Sequence, residues 1–195
     1  MNEDLRRLFE KHYGNMSLKI AREAGVHHTT LKRLVEKGEI TQEMPGIYLL
    51  PDAFLDSFFA LQEKYTKGIY SYETALFLHG LTDLNLGQFD MTFPAGSTRR
   101  GLEQHFIIPH YTSKEKHHLG VVQVKSPIGN SVVAYDMERT LCDIFGVRSN
   151  VDLFVRNEAL KNYLTSDKRN VPKLRKYMRE FRVTTDLKNK LEVLL

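Results

Sequence analysis

The chain has 195 residues, 42% of them apolar, with a formal net charge of +4 at pH 7. That much apolar material buries a core in one domain or in two small ones, which excludes a disordered chain. The mild basicity admits an acidic partner without requiring one, and the single cysteine, Cys142, excludes a disulfide framework or a CxxC metal site.

Charge is unevenly spread. Lys and Arg stand against Asp and Glu at 8 to 7 over residues 1–50, 9 to 11 over 51–150 and 11 to 6 over 151–195, so positive charge collects at the carboxyl end. The first residues are charged from Glu3 onward with no apolar leader, and no window nears about 18 uninterrupted apolar residues. A soluble cytoplasmic protein with no membrane partner is expected.

Leu5, Leu8 and Phe9 recur at helical spacing and predict a first helix stopped by Gly14. Ser17 caps a second that runs through Ile20, Ala21 and Ala24 to Gly25. A third, capped by His27, puts Leu31, Leu34 and Val35 on one face and closes at Gly38; Glu39 to Leu50 then reads as two short strands around Met44-Pro45-Gly46. Pro51 and Asp52 introduce a fourth helix with Phe54, Leu55, Phe58, Phe59 and Leu61 as a broad apolar face, ending near Gly68. A boundary is set there, dividing residues 1–66 from 67–195.

The second part opens with a short helix, SYETALFLHGL, capped by Ser71. The period then changes to two: Phe89, Met91 and Phe93 alternate with Asp90 and Thr92, and HFIIPH, LGVVQVKSP and NSVVAYD follow, giving four strands. Helical spacing returns in MERTLCDIFG, in DLFVRNEALKNYL, in a basic segment from Val171 to Phe181, and from Thr185 to the end. The fold class is α+β.

Helix, glycine turn, helix and hairpin, with small Ala21 and Ala24 where two helices approach, is the pattern of a winged helix-turn-helix. In that motif His28, Thr29, Thr30, Lys32 and Arg33 face a major groove, where Thr meets base edges or a thymine methyl and Lys or Arg reaches guanine or phosphate. Lys19 and Arg22 touch backbone phosphates, and the hairpin tip offers Thr41, Gln42 and Met44. Near-neutrality over residues 1–50 weighs against this, since DNA affinity relies on neutralising phosphates.

Leu31 to Asp52 (LKRLVEKGEITQEMPGIYLLPD), Tyr70 to Leu81 (YSYETALFLHGL) and Asp136 to Phe145 (DMERTLCDIF) together resemble the AbiEi family of antitoxins from type IV toxin-antitoxin systems, linked to phage abortive infection. The resemblance implies a winged helix that binds inverted repeats of double-stranded operator DNA in its own promoter and represses transcription. It also implies a carboxyl-terminal domain that counters a cognate nucleotidyltransferase-like toxin without an obligatory stable complex. The DNA-reading role falls on His28, Thr29, Thr30, Lys32 and Arg33. With no heptad seam, a monomer in solution that pairs on DNA is expected.

The basic residues Lys168, Arg169, Lys173, Arg175, Lys176 and Arg179, continued by Arg182, Lys188 and Lys190, are read either as a solvated helix face or as a second surface toward DNA, RNA or protein. The rival function is a metal-dependent nuclease built on Asp90 with Gln123-Val124-Lys125, a degenerate restriction-type set lacking its second carboxylate. His105, His110, His117 and His118 cluster in sequence, but an extended 105–110 puts its two histidines on opposite faces. Asp143 lies four residues after Arg139, the spacing of a helical ion pair. There is no GxxxxGK[ST], GxSxG or HExxH motif. The expectation is a binding protein with no catalytic residues, metal or cofactor.

Overall fold

The computed structural model describes residues 1–83, 87–183 and 185–194. Helices and two sheets form an α+β arrangement in two compact units, Met1–Thr66 with Lys125–Val132, and Lys67–Val124 with Val133–Leu195.

The first unit runs α1 (Glu3–Lys11), β1 (Asn15–Ser17), α2 (Leu18–Glu23), α3 (His28–Glu36), β2 (Thr41–Met44), β3 (Ile47–Leu49) and α4 (Ser57–Lys64). Asn2 caps α1 by accepting from the Leu5 amide at 3.0 Å. The helix stops one residue earlier than glycine alone predicts: Tyr13 takes the left-handed conformation (φ 53°), and the Tyr13 and Gly14 amides bond back to the Glu10 and Phe9 carbonyls. That conformation costs a tyrosine about 1 kcal/mol, and the ring is held over Gly129, where any Cβ would fall 2.5 Å from it.

β1 was not expected. It lies antiparallel to β3, in the order β1-β3-β2. Leu5, Phe9, Met16, Ala21, Leu31, Leu34, Ile40 and Tyr48 form one core that fixes the three helices on this sheet.

The fourth helix starts five residues later than its apolar pattern suggests. Phe54 precedes it and is 84% exposed, and Asp56 is its cap, accepting from the Phe59 amide at 3.1 Å. The Asp56 carboxylate is buried and also accepts from Ser126 Oγ at 2.5 Å and Asn130 Nδ2 at 2.9 Å, while its amide donates to Asn15 Oδ1 at 2.9 Å. One carboxylate therefore binds the 125–132 segment to β1 and α4.

The remaining elements are β4 (Ile69–Tyr70), α5 (Tyr72–Leu78), β5 (Phe89–Pro94), β6 (Ile107–Thr112), α6 (Lys114–His117), β7 (Val121–Lys125), β8 (Ser131–Tyr135), α7 (Met137–Ile144), α8 (Leu153–Thr165), α9 (Val171–Glu180) and α10 (Thr185–Leu194), all in the second unit except the last residue of β7 and the first two of β8. Four strands were expected; the two-residue β4 is a fifth and sits centrally, in the order β6-β5-β4-β8-β7, antiparallel to β5 and parallel to β8. Burial in β5 does not follow its alternation, because Asp90 and Thr92 are as enclosed as Met91 and Phe93. The Asp90 amide donates to Thr74 Oγ1 at 2.7 Å, and Thr92 Oγ1 to Ser71 Oγ at 2.9 Å, so Ser71 serves β5 rather than capping α5 with its side chain.

Along the edge strand β6, the Phe106 carbonyl just before it accepts from the Phe89 amide and the Thr112 carbonyl from the Ala95 amide just past β5, both at 2.7 Å. Even-numbered residues thus turn their backbone inward, and Pro109, with no N–H, falls on the open edge, where it blocks pairing with a further strand. Helices α5, α7, α8, α9 and α10 share a core that includes Leu76, Leu141, Phe145, Tyr163, Leu174 and Leu187.

Asp56→Ala removes a helix cap and leaves buried donors on Ser126 and Asn130 unmatched. It is expected to lower the unfolding free energy by about 3 kcal/mol, read by urea denaturation; a loss within ~0.5 kcal/mol would show that this carboxylate does not hold the segment.

Candidate nucleic-acid interface

Ser17 opens α2 by accepting from the Ile20 amide at 3.1 Å. The helix ends at Gly25, whose φ of +77° a side chain would strain, with Gly25 N bonding to Arg22 O at 3.0 Å and Val26 N to Ala21 O at 2.8 Å. The paired bonds turn the chain sharply into α3. His27 is the cap residue of α3 but makes no side-chain cap bond, as expected of an imidazole there. Leu31 and Leu34 are buried and Val35 is half-buried. Thr29, Lys32, Arg33 and Glu36 are exposed, at the i, i+3, i+4, i+7 positions of a single helical face. His28 and Thr30 flank it, each half-buried. Thr30 turns with Arg33 toward a cleft of about 360 Å³ that Asn2, Leu5 and Lys37 also line.

Residues 3–51, which contain this helix pair and hairpin, match a family described as transcriptional regulator, AbiEi antitoxin. Over that segment the chain is similar to the AbiEi antitoxins. No curated protein matches the chain.

Within the AbiEi-type segment Lys19 and Arg22, three residues apart on α2, are exposed, as are Thr41 and Gln42 on β2. Among the described residues no carboxylate forms an ion pair with Lys19, Arg22, Lys32 or Arg33. Four cations thus stand available to an anionic partner, while Glu36 on the same face and Glu43 on β2 oppose it. Met44 does not project from the hairpin; it packs on Ile47, Leu49 and Ala60. The two-residue turn folds back on α2, with Gly46 O accepting from the Leu18 amide at 2.7 Å, so the hairpin is short.

The basic residues behind the AbiEi-type segment have divided uses. Lys173 Nζ lies 2.8 Å from Asp136 Oδ2 and 3.7 Å from Glu138 Oε2; burial works against its charge, but Asp136 outweighs this and raises its pKa. Buried Glu138 further accepts from Tyr163 OH and the Asn170 amide, both at 3.0 Å, which ties the start of α9 to α7 and α8. Arg169 donates to the carbonyls of Leu164 at 2.9 Å and Ser166 at 3.4 Å. Lys173 and Arg169 are therefore committed to holding the chain. Lys188 pairs with Glu192 and Lys190 with Asp186. Lys168, Arg175, Lys176 and Arg179 remain exposed, and Arg175 and Arg179 line a groove of about 600 Å³ with Met178, Val183 and Leu191.

The residues of the nuclease reading are dispersed. Asp90 is on β5 and Gln123 on β7, with β4 and β8 between them; at about 4.8 Å per strand this separates them by ~14 Å. Asp90 instead meets His110 Nε2 at 2.7 Å, and that ring stacks on Tyr72 with centroids 3.7 Å apart. Lys125 is grouped with the first unit. His105 lies in a 3-10 turn rather than a strand, His117 is buried with its Nε2 3.2 Å from Thr92 O, and His118 is exposed. Among the described residues no three His, Cys, Asp or Glu side chains are arranged to share a metal ion.

The Arg139–Asp143 pair forms, with Arg139 Nε 3.0 Å from both Asp143 oxygens. Arg139 also donates to the Lys116 and Leu119 carbonyls at 2.7 and 3.1 Å and lies between the rings of Tyr135 and Phe181. Burial pushes Asp143 up to about 6, against the pull of Arg139. Above its unfolded value of 3.8, the folded state holds this proton more tightly, so the Asp143 contribution to stability is full below about pH 4 and is lost as pH rises through 6. Asp143→Asn is expected to remove that decline from a series of urea midpoints between pH 4 and 7; an unchanged profile contradicts it.

Proposed function

We propose that residues 1–66 are a winged helix-turn-helix reading double-stranded operator DNA with inverted repeats, through which the protein represses its own operon. The observation that carries this reading is the exposed α3 face of Thr29, Lys32 and Arg33, preceded by the exposed cations Lys19 and Arg22. The order α1-β1-α2-α3-β2-β3, with β3 between β1 and β2, supports it because it leaves α3 and the hairpin on the surface together. In this reading Arg33 and Lys32 take guanine edges or phosphate, Thr29 a thymine methyl or base edge, and Lys19 and Arg22 the backbone. His28 and Thr30 act at the margin of the groove, Thr41 and Gln42 along its sugar-phosphate wall. Residues 67–195 are the antitoxin part, opposing a nucleotidyltransferase-like toxin in the cytoplasm without a stable complex; what supports this is the wording, AbiEi antitoxin, of the family matched at residues 3–51. Lys168, Arg175, Lys176 and Arg179 supply a second basic surface for DNA that bends toward it.

The test is competition binding to the chain's own upstream DNA with scrambled DNA as competitor. Joint replacement of Thr29, Lys32 and Arg33 by alanine is expected to cost about a hundredfold or more in affinity for the specific fragment. Binding that is unchanged in a folded variant, or equal for scrambled DNA, rules the reading out, and magnesium-dependent cleavage of the fragment would point to the nuclease instead.

Arg175→Glu with Lys176→Glu is expected to flatten the plot of log affinity against log salt, by roughly 0.9 for each phosphate that the variant no longer neutralises. An unaltered slope removes these two residues from the footprint.

A further inference from the structure

His27, Thr30, Leu34 and Lys37 follow one another at steps of three or four residues along α3 and its two caps, so they share one side of the helix. With Arg33 beside them, they all line one cleft of about 360 Å³. Arg33 belongs both to this side and to the exposed face of Thr29 and Lys32. Asn2 and Leu5, from the start of α1, line the cleft as well. A space of this size stands at the lower end of the pockets that hold small organic ligands, roughly 300 Å³ and upward.

The lining indicates which ligand. Leu5 and Leu34 are buried and Val26 is half-buried, and together they give the cleft an apolar part. Arg33 and Lys37 are exposed, and among the described residues neither has an ion-pair partner. Glu39 also lines the cleft, but its carboxylate accepts from the Met1 amine, a bond that holds its pKa below the ordinary value. Its charge is thereby met, and Arg33 and Lys37 leave the cleft positive. His27 makes no side-chain cap bond, so its ring and the Thr30 hydroxyl stand as further donors. Two cations and neutral donors beside apolar groups suit a small organic anion, whose carboxylate or phosphate head reaches Arg33 and Lys37 while its apolar body covers Leu5, Val26 and Leu34. A bare phosphodiester of DNA meets the same cations but leaves those apolar groups uncovered. We propose that the cleft between α1 and α3 binds such an anion, and that the occupant competes with DNA for Arg33. The competition rests on the reading of α3 as the DNA-reading helix; the binding does not.

Phenyl phosphate, an anionic head on a single ring, tests this when titrated to about 10 mM into the nitrogen-15-labelled full chain, against inorganic phosphate at equal ionic strength. Saturable shifts at the Thr30, Arg33 and Lys37 amides are expected, with a dissociation constant of about 1 mM or tighter, and inorganic phosphate is expected to bind at least about tenfold more weakly because it covers no apolar surface. Lys37→Glu is expected to weaken phenyl phosphate at least about tenfold and Lys37→Arg to retain it. Lys37 meets the end of α3 through its backbone amide, which both substitutions keep, and circular dichroism confirms that the variants are folded. Phenyl phosphate is further expected to lower the wild type's affinity for its own upstream DNA and to leave that of Lys37→Glu where it stands without the anion. The absence of saturable shifts on α3, equal binding of inorganic phosphate, or unchanged binding by Lys37→Glu overturns the site, and shifts on α3 with no effect on DNA affinity overturn the competition. A chain that binds no specific DNA yet shows the shifts sinks the DNA reading alone and leaves the site standing.

Discussion

The candidate face on α3 depends on burial on the other side of the same helix. Leu31 and Leu34 enter a core with Ala21, Phe9 and Tyr48, and once they do, helical geometry turns Thr29, Lys32 and Arg33 outward. Ala21 is fully buried, where a larger side chain would crowd the core it shares with α3. The turn at Gly25 and Val26, with its paired backbone bonds, sets the angle between α2 and α3. The exposed face is therefore specified by apolar packing, and its chemistry is free to follow whatever partner it meets.

Much of the helical layout was legible because its signals are local. Ser17 reads as a cap from its own neighbourhood and accepts from the amide three residues ahead; Asn2, Asp136 and Asp152 cap their helices in the same way but were not read as caps. The start of α4 was misread because Phe54 and Leu55 continue the apolar run through a turn, hiding the cap at Asp56. β1 and β4 were illegible for another reason. At three and two residues they are too short for alternation to register, and β1 buries Asn15 and Ser17 as fully as Met16. Their existence follows from partners far along the chain, β3 for one and β5 and β8 for the other.

The same distinction governs the charged residues. The Arg139–Asp143 pair was readable at its spacing of four, whereas Lys173 reads from sequence as one more surface cation and is in fact held by Asp136 and Glu138, over thirty residues earlier. Asp56, Ser126 and Asn130 likewise carry no local sign of their partnership. The candidate face on α3 was the most legible part of the site, although His28 and Thr30 lie at its margins, Glu36 belongs to it, and Met44 turns inward. Formal charge in the carboxyl-terminal region thus overstates what it offers a nucleic acid, because several of its cations satisfy the protein's own carboxylates and carbonyls.

The most direct measurement is a titration of the nitrogen-15-labelled chain with its own upstream DNA, following each backbone amide. The account predicts that shifts concentrate at Thr29, Lys32 and Arg33, extend to Lys19, Arg22 and Thr41, and fade when scrambled DNA replaces the specific fragment. Shifts that leave α3 untouched, or that are the same for both DNAs, would contradict it.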